Sequence, residues 1–545
     1  MAEKSGKAWM RLTANRAVLL FCVYSMLVFN IGFWQEVWQK SRSAAGHDWL
    51  LLATMPLFIL AAMNFVMQLL FWPKVHRVLM PLLLVLGAGA SYAVMVQGIY
   101  FNSDMIQNLL QTNQSEATAW LSVKFIGWIL LTGVLPAFLY ARYGKISPAS
   151  AWYKGLGWRG ASMLASLLVV LAVAAVAYQN YASFFRNNKG VNHQIVPINF
   201  IGASFKTAYN VYDANRPFEQ IGLDAKRERT AGERKRLMVL VVGETTRAQN
   251  WGLNPGAPDT TPELKKLGAE VINYTDVSSC GTATAISLPC MFSRMNRSDY
   301  NGNRAKHQEG LMDILQRAGL YTSWRENDGG CKGACDRIKH IDIRELADKS
   351  QCGSEGCLDR TLLNGLAEEI QAMPDDGVIV LHTMGSHGPA YYQRYTDDER
   401  KFAPTCDTNQ IQDCSNAELQ NTYNNTIIAI DRMLANTIDL LKQQPDKDIA
   451  LWYFSDHGES LGENGMYLHA APYAIAPREQ TQIPMIFWAN EGWYRDLGVS
   501  ASCLRQNAAK PYSHDNVFHS MLGINDVNTQ EYKRELDLFA ECRQG

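Results

Sequence analysis

Five apolar runs, each long enough to cross a bilayer, fill the first third of the chain. They lie at about 16–34, 50–72, 78–100, 122–141 and 160–179. A helix needs roughly 20 residues to span the hydrocarbon layer. With no water there to satisfy backbone groups, runs of this length are expected as helices. The first run is not a cleaved leader, because Asn15 and Arg16 lead into a long apolar stretch with no small-residue cleavage site and four more runs follow. The pattern predicts a transmembrane domain of five helices over 1–180, an amphipathic linker over 181–235 and a globular domain over 236–545.

Basic residues set the expected orientation. Lys4, Lys7, Arg11 and Arg16 precede or open the first run, Lys74 and Arg77 lie between the second and third, and Arg142, Lys145, Lys154 and Arg159 lie between the fourth and fifth. Loop 101–120 has no Lys or Arg, whereas loop 35–48 carries Lys40 and Arg42 against the trend. A cytoplasmic N-terminus follows, and five crossings put the large domain on the opposite side. The cysteines agree. Of 11, only Cys22 lies in the apolar third. The others fall in close pairs: Cys280 and Cys290, Cys331 and Cys335, Cys352 and Cys357, Cys406 and Cys414, Cys503 and Cys542. An even set beyond a membrane anchor, without CxxC spacing, predicts five disulfides in an oxidising compartment and one free thiol, Cys22. The balance of 51 basic against 52 acidic residues excludes a nucleic-acid partner on charge grounds.

In the globular part, RLMVLVVGET, GVIVLHTMGSHGP and DIALWYFSDHGES are short apolar runs that end in polar turns, as buried parallel strands do. Helical stretches such as NTIIAIDRMLANTIDLLKQ alternate with them, which predicts an α/β domain with a mainly parallel sheet. Ligands bind beyond the carboxyl ends of such strands. Glu244, His382, His387, Asp456 and His457 are therefore expected to converge, and carboxylates with imidazoles suit Zn²⁺. The segment SSCGTATAISLPCMFS offers nucleophile candidates Thr282, Thr284 and Ser287 between two cysteines, and spacing does not rank them. If the loop opens a helix, its backbone N–H groups favour a phosphate. Asn108, Thr112 and Glu116 recur every fourth residue, which would give one polar stripe on a helix.

GETTR, SSCGTATAISLPCMFS, GSHGP and SDHGESLGENGMYLH resemble the lipid A phosphoethanolamine transferases, five-helix inner-membrane enzymes whose periplasmic domain is of the alkaline phosphatase and sulfatase superfamily. The resemblance covers essentially the whole chain. It implies zinc held by Glu244, Thr284, Asp456 and His457, with Thr284 as nucleophile; a second ion during turnover is left open. It also implies phosphate contacts from Lys332, His387 and His469, and donor-lipid contacts from Asn108, Thr112 and Glu116. It gives His382 no firm role. The implied reaction moves phosphoethanolamine from phosphatidylethanolamine to lipid A, which weakens binding of polymyxins and other cationic peptides. The implied setting is the bacterial inner membrane, with the catalytic domain periplasmic and the protein a monomer. Transfer to a lipopolysaccharide core sugar or a periplasmic glucan fits the same donor motifs. A sulfatase fits less well, since no C/S-x-P-x-R motif is present at the Thr284 loop.

Overall fold

The computed structural model describes residues 10–43, 46–72, 75–111, 122–146, 151–227, 234–353 and 356–543. The chain divides into two compact units, Met1–Asn215 and Arg216–Gly545.

The first unit is helical. The chain bends by 63° between α1 (Ala14–Phe29) and α2 (Ile31–Lys40). The long helices α3 (Trp49–Leu70), α4 (His76–Gln97), α6 (Val123–Tyr143) and α7 (Trp152–Asn187) are each apolar and long enough to span a membrane. The short α5 (Ser103–Gln111) and the 17-residue α8 (Ile198–Ala214) belong to the same unit. The chain is thus a multi-pass membrane protein, with four helices long and apolar enough to span among the described residues, or five when the bent pair counts as one span. Leu57, Val78, Leu131 and Leu168 stand exposed around the helices, as side chains facing lipid must.

The bend has a definite cause. Asn30 leaves helical geometry at φ −105° and ψ 22°. Its amide donates to the carbonyls of Ser25 and Val196 and accepts from the Val196 N–H, so a buried polar side chain is satisfied by backbone from a distant segment. Elsewhere α3 and α7 are tied by a buried polar cluster in which Asn64 donates to Ser162 and Ser166. Such hydrogen bonds hold helices together where lipid offers no hydrophobic drive. Asn108 lies on α5. Thr112 and Glu116 lie outside the described residues.

The second unit is built on a seven-stranded sheet. Its strands are β1 (Arg236–Gly243), β2 (Val271–Tyr274), β3 (Tyr321–Glu326), β4 (Lys339–Asp342), β5 (Gly377–His382), β6 (Asp448–Ser455) and β7 (Met485–Ala489). Their order is β4-β3-β5-β1-β6-β7-β2. The first five run parallel, and β7 pairs antiparallel with both β6 and β2. Every residue of β1, β5 and β6 is buried, which is why these strands read as unbroken apolar runs. The 27-residue α10 (Asn416–Lys442) begins with a capping box of Ser415 and Glu418 and buries a stripe that includes Leu419, Ile427, Ile430, Leu434 and Ile438.

Register fixes what meets at the sheet's carboxyl edge. His382 pairs with Val242 on one side and Glu326 on the other, and Ser455 pairs with Gly243. Glu244, Asp456 and the residues after Glu326 therefore leave their strands at one level.

All ten cysteines of the second unit are bonded in the expected pairs: Cys280–Cys290, Cys331–Cys335, Cys352–Cys357, Cys406–Cys414 and Cys503–Cys542. Cys22 is free and buried. Thiol titration of the denatured, unreduced protein should accordingly find one reactive group. Three or more would contradict the pairing.

Candidate active site

Thr284 is the first residue of α9 (Thr284–Met291), so the cysteine-bracketed loop does open a helix. Three hydroxyls lie in this segment, and their partners separate them. Thr282 Oγ donates to the Ala471 carbonyl at 2.6 Å, and Ser287 Oγ donates to the Asp456 carbonyl at 2.5 Å. Of the three, Thr284 Oγ alone reaches the Glu244 carboxylate and the His457 imidazole. It donates to Glu244 Oε2 at 2.9 Å and lies 3.4 Å from His457 Nε2.

His457 Nδ1 is 2.8 Å from the Gly458 carbonyl. A carbonyl only accepts, so Nδ1 carries the proton and the Nε2 lone pair points into the cluster. There Nε2 lies 3.5 Å from Glu244 Oε1 and 3.3 Å from Asp456 Oδ2. The backbone N–H groups of Thr245 and His457 fix the other Asp456 oxygen at 3.1 and 2.7 Å. Glu244, Asp456 and His457 are fully buried.

These donors fit a cation. Glu244 Oε1 and Asp456 Oδ2 are buried with no hydrogen-bond partner among the described residues. The separations of 2.9–3.5 Å bracket the edge of about 3.3 Å for a tetrahedron with zinc–ligand bonds of about 2.0 Å. Electrostatics agrees. Burial, and then the neighbouring Asp456 and Asp328, hold the Glu244 carboxyl well above its usual range, and burial likewise raises that of Asp456. Buried carboxylates this close need a positive charge among them.

His469 is the nearest added group. Its ring lies 4.6 Å from that of His457, tilted by 51°, and Glu244, His457 and His469 can each place a ligand atom within 4.8 Å of the others. Its Nδ1 lies 3.2 Å from both oxygens of the buried Glu459. His387 sits 5.7 Å from His469, ring to ring. Lys332 Nζ donates to the Gly329 carbonyl at 2.7 Å and stands 4.0 Å from Asp328. The structure thus gathers Glu244, Thr284, Asp456, His457, His387 and His469, with Lys332 beside Asp328.

His382 is fully buried, and its Nδ1 lies 3.0 and 2.9 Å from the two oxygens of Glu326. Burial alone would lower its pKa; the Glu326 carboxylate outweighs that and raises it to about 9. His514, at the start of α11 (Asp515–Ile524), accepts the Cys280 N–H on Nδ1 at 3.0 Å and donates from Nε2 to the Ser455 carbonyl at 2.9 Å. It ties the nucleophile loop to the end of β6, and burial keeps it neutral, with a pKa lowered to about 3. Sequence reading missed Glu326, Asp328, Glu459 and His514.

Residues 236–527 match the sulfatase family, and residues 59–212 match the family described as phosphoethanolamine transferase EptA/EptB. The phosphoethanolamine transferase EptA of Escherichia coli K12 is 43% identical over 531 residues, 97% of this chain and 96% of that protein. The chain belongs to the EptA phosphoethanolamine transferase family. Another family relative, the phosphatidylethanolamine transferase Mcr-1 of Escherichia coli, is 34% identical over 96% of this chain and 97% of that protein. The integral membrane lipooligosaccharide phosphoethanolamine transferase A (EptA) of Neisseria meningitidis has a solved structure that aligns with a TM-score of 0.65 at 44% identity, covering 98% of this chain and all of that one.

Proposed function

We propose that this chain transfers phosphoethanolamine from phosphatidylethanolamine to a phosphate of lipid A through a covalent intermediate on Thr284. One observation carries the reading: in a chain of this family, only one of the loop's three hydroxyls reaches the buried Glu244–His457 cluster. We assign zinc to Glu244, Thr284, Asp456 and His457. Zinc held there supplies the charge that lowers the pKa of the Thr284 hydroxyl.

The protein's own groups do the rest. Thr284 Oγ gives up its proton and attacks the donor phosphorus in line, the bond from phosphorus to the diacylglycerol oxygen breaks, and that oxygen takes up a proton in turn. His387, His469 and Lys332 offset charge on the phosphoryl oxygens. The first turn of α9, which Thr284 opens, presents backbone N–H groups to the same anion. A lipid A phosphate oxygen then attacks phosphorus, and the bond to Thr284 Oγ breaks. The Lys/Arg asymmetry and the five disulfides support an inner-membrane protein whose second unit is periplasmic.

Mass spectrometry of lipid A from cells with and without the protein tests the reading. One added phosphoethanolamine is expected, together with raised polymyxin tolerance. The group found instead on core sugars or a glucan would reassign the acceptor; its absence from every envelope component would overturn the proposal.

We assign the donor head group's contacts to Asn108, Thr112 and Glu116, where the Glu116 carboxylate meets its ammonium. Glu116→Ala should lower turnover about tenfold or more, the worth of one charge-assisted hydrogen bond, with zinc content unchanged. Full activity would remove Glu116 from the donor site.

A further inference from the structure

A second histidine stands beside Glu244. His382 ends β5, and both oxygens of Glu326 hold its Nδ1. Glu326 is itself pinned by the Trp324 indole N–H at 2.9 Å and the Asp328 backbone N–H at 2.7 Å. The other ring nitrogen, Nε2, is fully buried and has no hydrogen-bond partner among the described residues. The ring lies among carboxylates: His382, Glu244 and Asp328 can each place a ligand atom within 4.8 Å of the others.

A carboxylate gripping one imidazole nitrogen while the other points into an acidic, buried space is how proteins orient a metal-binding histidine. The grip holds a proton on Nδ1, and a cation bound at Nε2 would displace the proton which that nitrogen otherwise carries. A purely structural histidine would instead spend Nε2 on a carbonyl, as His514 does. One imidazole with two carboxylates suits zinc or manganese, whereas magnesium and calcium favour oxygen alone. Glu244, which also belongs to the cluster around His457, would lie between two ions.

We infer that Glu244, Asp328 and His382 form a second divalent-cation site, for an ion of the zinc class, that shares Glu244 with the site at Thr284. The inference rests on the assignment of Glu244 as a metal ligand. A cation there would draw Asp328, and with it the neighbouring Lys332, into fixed positions beside the phosphoryl group.

The test is zinc titration of the metal-stripped, full-length protein in detergent, followed by metal analysis after desalting. Wild type should retain two equivalents, and His382→Gln and Asp328→Asn one each. His387→Gln, which alters a ring near His469 instead, should retain two. If His382→Gln fails to fold, Asp328→Asn decides, since it is near-isosteric and half-buried. One equivalent in wild type, lost in Asp456→Asn but kept in Asp328→Asn, would overturn the second site and leave the first standing. Loss of the second ion in His387→Gln but not in Asp328→Asn would place it elsewhere and also overturn the inference. No retained zinc in wild type would sink both assignments.

Discussion

Thr284→Ala should abolish turnover, with a loss of at least about four orders of magnitude, the scale expected when a covalent nucleophile is removed. The substitution deletes a hydroxyl and a methyl at the half-buried first position of α9. The Cys280–Cys290 bond and the His514 tie to the same loop remain, so the fold should persist with its melting temperature within a few degrees. Thr282→Ala should behave differently. It removes a hydrogen bond to the Ala471 carbonyl, worth about 1 kcal/mol, and should keep most of the activity. Ser287→Ala loses the bond to the Asp456 carbonyl and should fall between the two, through misplacement of a ligand. A steady-state comparison of the three purified variants checks the order. Substantial turnover in Thr284→Ala would leave direct transfer between the two lipids as the remaining chemistry.

Glu244→Gln should cost about three orders of magnitude in turnover and the firmly held zinc, because the amide keeps the shape and loses the charge. Its stability should show a less obvious sign. In the metal-stripped protein the Glu244 carboxyl is held well above its usual range, first by burial and then by Asp456 and Asp328. A raised folded-state pKa contributes stability that is complete below the unfolded value, about 4.3, and is lost as pH rises through the folded one. Stripped Glu244→Gln should therefore melt at least about 2 °C above stripped wild type at pH 7.5, and the gap should close toward pH 4. Added zinc should reverse the order at neutral pH by stabilising wild type alone. Equal melting of the two stripped proteins at pH 7.5 would mean that Glu244 is not frustrated by its carboxylate neighbours.

What could be read from sequence was whatever depends on short-range pattern. The strands flanking the site are buried on both faces, so β1, β5 and β6 appear as apolar runs, and the polar residue after each run marks the sheet's carboxyl edge. The cysteine pairs lie 4 to 39 residues apart, and proximity alone predicted them. What escaped depends on distant partners. Nothing local to Asn30 shows that Val196 will bend the first apolar run, since 166 residues separate them. The three loop hydroxyls could not be ranked because the carbonyls that occupy Thr282 and Ser287 lie 189 and 169 residues away. Strand β3 hid Glu326 and Asp328 for another reason. Its YTSWRE sets two aromatic residues among four polar ones, and its buried Arg325 is balanced by Glu369 from a following helix. It does not look like a core strand until its neighbours are known. Glu459 was in view within SDHGES, but its role beside His469 appears only when the turn after β6 brings the two together.

The covalent step is the centre of this account, and it can be caught directly. Purified wild-type protein, loaded with zinc, should be given phosphatidylethanolamine without an acceptor, digested, and analysed by mass spectrometry. The peptide that spans Cys280 to Cys290 should gain one phosphoethanolamine, fragmentation should place it on Thr284, and added lipid A should remove it. The same peptide from Thr284→Ala should stay unmodified. An adduct mapped to any other residue, or no adduct from an enzyme that still transfers the group once lipid A is supplied, would contradict the mechanism.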